Sequence, residues 1–136
     1  MDIHHVGISV ADLDRAMIFY KDIMGFNVKM NKTFESMIPG RGKVTCVFLG
    51  DDNGNQMEII YEHARAGRQY GPGERHPHVC IKVDDLEKKI DDIKRKGAKV
   101  IVQPTKPLFR DDVVLNAFIE DPEGFRIELY EMKKMG

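Results

Sequence analysis

The sequence predicts an α+β fold built from two tandem βαβββ modules, on the strength of three observations. The segment His5-Val6-Gly7-Ile8-Ser9-Val10-Ala11-Asp12-Leu13 is echoed by His78-Val79-Cys80-Ile81-Lys82-Val83-Asp84-Asp85-Leu86. Later in each copy, Phe48-Leu49, Asp51, Gly54 and Glu58 recur in the same spacing as Phe118-Ile119, Asp121, Gly124 and Glu128. A sequence that matches itself at a fixed shift encodes a repeated structural unit. Within each copy the apolar residues first alternate, as in a strand, and then recur at helical spacing. Three further strand-like stretches complete the copy.

In the opening stretch of the first copy, side-chain alternation sets His4, Val6, Ile8 and Val10 on one face and Ile3, His5, Gly7 and Ser9 on the other. In the second copy, Val79, Ile81 and Val83 oppose His78, Cys80 and Lys82. A helix then begins at an N-cap Asp12, carries Leu13, Ala16, Met17, Tyr20, Ile23 and Met24 as its apolar stripe, and closes at Gly25. Its counterpart reads as a capping box of Asp84 and Glu87, with Leu86, Ile90 and Ile93 as the stripe. Lys94, Arg95 and Lys96 suit the C-terminal dipole of that helix, and Gly97 ends it. Strands are expected over Phe26–Thr33, Lys43–Leu49 and Gln56–Glu62, then over Ala98–Pro104, Val113–Ile119 and Phe125–Glu131.

With 136 residues the chain fits one compact domain. Its first module covers about residues 1–63, a Gly- and Arg-rich linker about 64–75, and the second module about 76–132. A chain of this length buries roughly two thirds of its unfolded surface, so it needs neither a disulfide nor a structural metal to fold. Any metal is then there for chemistry. The 21 Lys and Arg against 22 Asp and Glu exclude an overall charge that would recruit nucleic acid or an anionic membrane. Cys46 and Cys80 each sit inside an apolar run and read as buried thiols. The opening MDIHHVGISV has no basic leader and no continuous apolar run, so a cytoplasmic protein is expected.

Alternation in the closing strand of each module sets Met57, Ile59 and Tyr61 against Gln56, Glu58 and Ile60, and Ile127 and Leu129 against Arg126, Glu128 and Tyr130. Each module thus offers one histidine from its first strand and one glutamate from its last. Taken singly, His5 reads as a hydrogen-bonded histidine and Glu58 as a solvated strand charge. Their joint recurrence as His78 and Glu128 is not something folding requires, and it predicts a metal site of His5, Glu58, His78 and Glu128. Imidazole with carboxylate suits a divalent ion such as Ni, Co, Zn, Mn or Fe, with positions left over for water or substrate. His4 reads as a core or edge residue, His63 and His76 as solvated, and Asp51 and Asp121 as turn residues.

The pattern His5, Val10, Asp12-Leu13, with Phe19-Tyr20, Gly25-Phe26, His78-Val79, Ile81, Val83-Asp84-Asp85 and Glu120-Asp121-Pro122-Glu123-Gly124-Phe125-Arg126-Ile127-Glu128-Leu129, resembles the vicinal oxygen chelate superfamily. Within it the similarity is closest to bacterial glyoxalase I (lactoylglutathione lyase), and it spans both modules. The resemblance implies that curved mixed sheets form a metal-binding cup. It also implies a homodimer, with His5 and Glu58 from one chain and His78 and Glu128 from the other; an arrangement within one chain stays open. In the reaction it implies, a metal-chelated hemithioacetal loses a carbon-bound proton and regains it on the adjacent carbon. Glu128 matches the family's base, Glu58 the paired ligand that helps to move the proton, and His5 and His78 only hold the metal.

Two positions depart from the family pattern. Ser9 stands where bacterial glyoxalases often have an arginine, and Glu62 stands where an asparagine follows the first glutamate by four residues. Both family residues are associated with glutathione. Arg65, Arg68, Arg75 and Arg110 are other sources of anion contacts, although each reads more simply as solvated surface. The same cup suits an epimerase of the methylmalonyl-CoA type or a metal-free drug-binding protein of the bleomycin-resistance type. An extradiol dioxygenase or a fosfomycin-modifying transferase normally uses two His and one Glu, so Glu58 as a fourth ligand argues against both.

Overall fold

The structure, a computed structural model, describes residues 1–70, 77–120 and 126–134. The Gly71–Arg75 end of the expected linker, His76 and the expected turn at Asp121-Pro122-Glu123-Gly124 with Phe125 lie outside the described residues. The fold is α+β and divides into two compact units, His5–Pro77 and His78–Gly136, the latter including Met1–His4. We call them the first and second unit.

The first unit runs through β1 (Asp2–Val10, from His5 on), α1 (Leu13–Met17), a π-helical segment (Ile18–Ile23), β2 (Asn27–Glu35), β3 (Lys43–Gly50) and β4 (Gln56–Glu62). Its strands lie in the order β2-β3-β4-β1. β1 and β4 are parallel, and the β2–β3 and β3–β4 pairs are antiparallel. The second unit repeats this with β5 (His78–Lys82), α2 (Leu86–Arg95), β6 (Lys99–Thr105), β7 (Val113–Glu120) and β8 (Arg126–Met132). Its order is β5-β8-β7-β6, with β5 parallel to β8.

The first helix starts as the sequence predicts, with Asp12 in extended backbone accepting a hydrogen bond from the Arg15 amide, but it does not continue as one α-helix to Gly25. After Met17 it widens, and the Met24 amide reaches back five residues to the Phe19 carbonyl. The wider turn shifts the phase of the apolar stripe. Leu13, Ala16, Met17 and Tyr20 pack against Val47, Leu49 and Ile59, whereas Ile23 and Met24 stand 68% and 57% exposed. Gly25 closes the segment at a φ of 87°, a conformation that costs glycine little.

The second helix corrects the expected capping box. Asp85, not Asp84, is the N-cap, and its side chain accepts from the Lys88 amide at 3.1 Å. Glu87 is then the second helical residue and too early to close a box. The Leu86 amide is satisfied instead by Glu131 Oε1 of β8, at 2.9 Å. Leu86 and Ile90 bury against Val83, Ala117 and Leu129, with Ile93 packed beside them. Burial of two such side chains stabilises the helix on the sheet by about 1.5–3 kcal/mol each.

The strands follow the expected spans closely. β6 runs one residue past the expected end at Pro104, which fits an edge strand whose register with β7 is irregular between Val102 and Thr105. Cys46 and Cys80 are buried free thiols, as expected. Arg110, expected on the solvated surface, is instead held in the loop joining β6 to β7 with its side chain 9% exposed. Its Nε and Nη2 donate to the two Asp112 carboxylate oxygens at 2.8 and 2.7 Å, and its guanidinium lies over the Tyr130 ring. Among the described residues, no helix is long and apolar enough to cross a membrane.

Two outcomes follow from these local interactions. Asp85→Ala removes the α2 cap and should lower the unfolding free energy by about 1 kcal/mol in denaturant titration, while Asp84→Ala should leave it near the parent value. The Arg110 fork holds the Asp112 carboxyl below its ordinary value of 3.8. Its stabilising contribution is therefore complete above that pH and is lost as pH falls through the depressed value. Asp112→Asn should accordingly flatten the acid end of the stability profile, measured as melting temperature against pH.

Candidate functional site

In both units, one face of the sheet carries the helix and the other carries the polar residues singled out by the repeat. On β1, Ile8 and Val10 pack towards the helix with Met57 and Ile59. His5, Gly7 and Ser9 take the opposite face, and all three are buried. On β4, Glu58 and Ile60 are turned the same way, and Ile60 packs with Val44 and Cys46 of β3. The second unit repeats the division: Leu129 and Ile127 face α2, whereas Tyr130 packs with Cys80 and Val113.

The parallel strand pairing brings each histidine to its glutamate. Gly7 lies opposite Glu58, so His5 stands two residues before the position facing it. Cys80 lies opposite Glu128, so His78 stands in the same relation. His5 Nε2 is 3.5 Å from Glu58 Oε1, and His78 Nε2 is 3.3 Å from Glu128 Oε1. All four residues are no more than 5% exposed. The structure thus joins His5 to Glu58 in the first unit and His78 to Glu128 in the second.

Each pair has the same aromatic neighbour. Phe48 lies opposite Glu58 on β3 and Phe118 opposite Glu128 on β7. The His5 and Phe48 rings meet edge to face with centroids 4.9 Å apart, and the His78 and Phe118 rings with centroids 6.2 Å apart. Both phenylalanines stand in the sequence repeat, but their place beside the histidines depends on strand register across β3 and β7.

The distances in the pairs exceed the 2.7–3.2 Å typical of a good N–H···O bond. They fit two donor atoms of one cation. At ligand distances of about 2.0–2.2 Å, donors at octahedral or tetrahedral angles stand about 2.8–3.6 Å apart. Burial makes the same point energetically, because a carboxylate held away from water is costly unless positive charge or hydrogen bonds compensate it. Imidazole nitrogen with carboxylate oxygen is a donor set for divalent transition ions.

The two glutamates differ in their surroundings. Asn116 of β7 is fully buried, and its Nδ2 donates to Glu128 Oε2 at 3.1 Å, which orients that carboxylate. Its counterpart in the repeat is Cys46, which has no amide to offer. Sequence reasoning passed over Asn116, whose only signal was its place in the β7 repeat two residues before Phe118.

Other side chains behave as local structure dictates. His4 is 6% exposed and packs edge to face on Tyr130, as expected of a core residue. His63 is exposed and its Nε2 is hydrogen-bonded to Thr45 Oγ1. The Asp51 carboxylate accepts from the Asn53 and Asn55 amides in its turn. The Arg65 guanidinium lies over Tyr70, 4.1 Å from the ring centroid. Arg41, absent from the arginines considered from sequence, is held by Glu62 and Ser9. Its signal was the flanking pair Gly40 and Gly42, both at positive φ.

Comparison with known proteins agrees with this architecture. The sequence profile of the Glyoxalase/Bleomycin resistance protein/Dioxygenase superfamily matches residues 2–129. A probable lactoylglutathione lyase of Synechocystis sp. is 34% identical over 93% of this chain and 92% of its own length. A lactoylglutathione lyase of Haemophilus influenzae is 32% identical over 98% and 94%. Among solved structures, the methylmalonyl-CoA epimerase of Mycobacterium tuberculosis superposes with a TM-score of 0.71 at 20% identity, covering 97% of this chain and 88% of that one. A Bacillus halodurans protein superposes with a TM-score of 0.72 at 21% identity, covering 99% and 96%. At such identities the structural likeness is one of fold.

Proposed function

Since the chain belongs to the Glyoxalase/Bleomycin resistance protein/Dioxygenase superfamily and is an enzyme of the glyoxalase type, we propose that it is a metal-dependent lyase/isomerase that moves a proton between adjacent carbons of a hemithioacetal or related substrate with vicinal oxygens. The observation that carries this reading is the buried His–Glu pair, built twice at the same strand register. His5, Glu58, His78 and Glu128 would hold one divalent ion, of the Ni, Co, Zn, Mn or Fe class. When bound, such an ion stabilises negative charge on two neighbouring oxygens.

The remaining work falls to the chain. Glu128 takes the carbon-bound proton and returns it to the adjacent carbon. Asn116 donates to Oε2 of that carboxylate and so fixes its orientation for the transfer. Glu58 completes the ligand set and assists the proton's return. His5 and His78 hold the cation, and Phe48 and Phe118 fix the plane of each ring. A cytoplasmic, homodimeric protein is part of the same proposal; two buried free thiols suit the former. The exposed Ile18, Phe19, Ile23 and Met24 give a second copy an apolar surface to cover.

Metal per chain, measured by mass spectrometry after loading and desalting, should be near stoichiometric in the parent and fall to traces in His5→Ala and His78→Ala. Retention unchanged in either variant removes that histidine from the set. Assayed with the hemithioacetal of methylglyoxal and glutathione, and with acyl-CoA epimerisation as the competing activity, Glu128→Gln should lose about 100-fold or more of kcat. Asn116→Ala should lose about 10- to 100-fold with metal content kept. Full turnover in Glu128→Gln would move the base elsewhere.

A further inference from the structure

A second group of ligand-bearing side chains lies in the second unit, on the side of the sheet away from α2. Cys80 and Tyr130 are fully buried and pack with Val113, and Met132 packs against them, which brings a thioether to the same cluster. His4 belongs to this unit, is 6% exposed and sets its ring edge to face on Tyr130. A ring nitrogen of His4 and the Cys80 Sγ lie within 4.8 Å of each other. The reaction proposed above uses neither residue.

The repeat does not account for them. In the first copy Gly7 stands at the place of Cys80, and in the second copy Pro77 stands at the place of His4. The module therefore folds without a thiol or an imidazole at these positions, and their meeting in the second unit is particular to it.

Thiolate with imidazole is a donor pair for soft metal ions. At about 2.3 Å to sulfur and about 2.0 Å to nitrogen, donors on opposite sides of one ion stand about 4.3 Å apart, so side-chain rotation of about half an ångström at most closes the pair on an ion.

Charge decides which ion. A monovalent ion with one thiolate and a neutral imidazole is uncharged, and burying it among Val113, Tyr130 and Met132 costs little. A divalent ion on the same two ligands leaves a buried positive charge. Neighbouring groups do not offset it: the Arg110–Asp112 fork near Tyr130 cancels its own charges, and Glu128, opposite Cys80 across the joint, already has His78 beside it. A zinc ion would also require further ligands to reach tetrahedral coordination.

We propose that His4 and Cys80, beside the Met132 thioether, form a second metal site, separate from the His–Glu pairs, for a soft monovalent ion of the Cu(I) class. On binding, the thiol proton passes to solvent, a sulfur–metal bond forms and no electron is transferred. This inference does not rest on the proposed function.

The test is anaerobic titration of the full chain with Cu(I) against a chromophoric Cu(I) chelator, repeated with Ag(I), which has no accessible second oxidation state in water. The parent should take one ion per chain, with a thiolate-to-copper charge-transfer band in the ultraviolet. Cys80→Ser and His4→Phe, the latter keeping a ring against Tyr130, should each weaken Cu(I) binding by about 100-fold or more. Cys46→Ser, which removes the other buried thiol, and His78→Ala should both keep the affinity within about twofold of the parent. Zn(II) in about tenfold excess should not displace the Cu(I). If Cys80→Ser does not fold, Cys80→Ala decides the matter, and the rise in melting temperature that Ag(I) gives the parent should vanish in it.

No Cu(I) bound by the parent, affinity unchanged on removing either Cys80 or His4, binding lost with Cys46 or with His78, or displacement by Zn(II) overturns the inference.

Discussion

Buried carboxylate beside buried imidazole is the constraint on which the rest of the structure depends. Glu58 and Glu128 are nearly inaccessible to water, and an isolated charge there would cost several kcal/mol. The parallel joints β1–β4 and β5–β8 set a histidine nitrogen within 3.5 Å of each. A one-residue slip in either joint would turn the glutamate to the helix side, where Ile59 or Leu129 now packs. The apolar packing beneath each helix therefore also guarantees the polar register above it.

This division of labour explains why so different a set of residues serves the two faces. On the helix side, Ala16, Val47, Leu49 and Ile59 in one unit and Val83, Leu86, Ile90, Ala117 and Leu129 in the other need only be apolar and of fitting volume. On the opposite side, identity matters because each buried carboxylate has an imidazole nitrogen beside it. There His5, Glu58 and Phe48 are matched in kind by His78, Glu128 and Phe118. The helices, by contrast, have diverged into a short α-helix that widens into a π segment and a regular ten-residue helix.

Repetition also makes the departures from symmetry informative. Asn116 stands where the first unit has Cys46, so only the second glutamate receives this amide donor. The loops between the second and third strands of each unit both bury an arginine against a carboxylate, but to different ends. Arg110 is closed into a two-pronged fork with Asp112 and stacked near Tyr130. Arg41 bridges two strands and leaves part of its guanidinium unused. One closes on a neighbour two residues away, whereas the other ties β1 to β4.

By itself, the sequence determined the α+β class, the order of elements in each copy, the faces of the strands, the Asp12 cap, the Gly25 stop and the pairing of a histidine with a glutamate in each unit. These are legible because alternation, helical spacing and caps are local properties of neighbouring residues, and the repeat states them twice. Tertiary structure alone decided the two-residue offset in strand register, the Phe48 and Phe118 neighbours, the Asn116 bond and the capture of Arg41 by Ser9 and Glu62. It also decided which of two adjacent aspartates caps α2, because Glu131 of β8 takes the Leu86 amide. Each of these joins residues far apart in the chain. Their energy depends on distance in space, which no local pattern encodes.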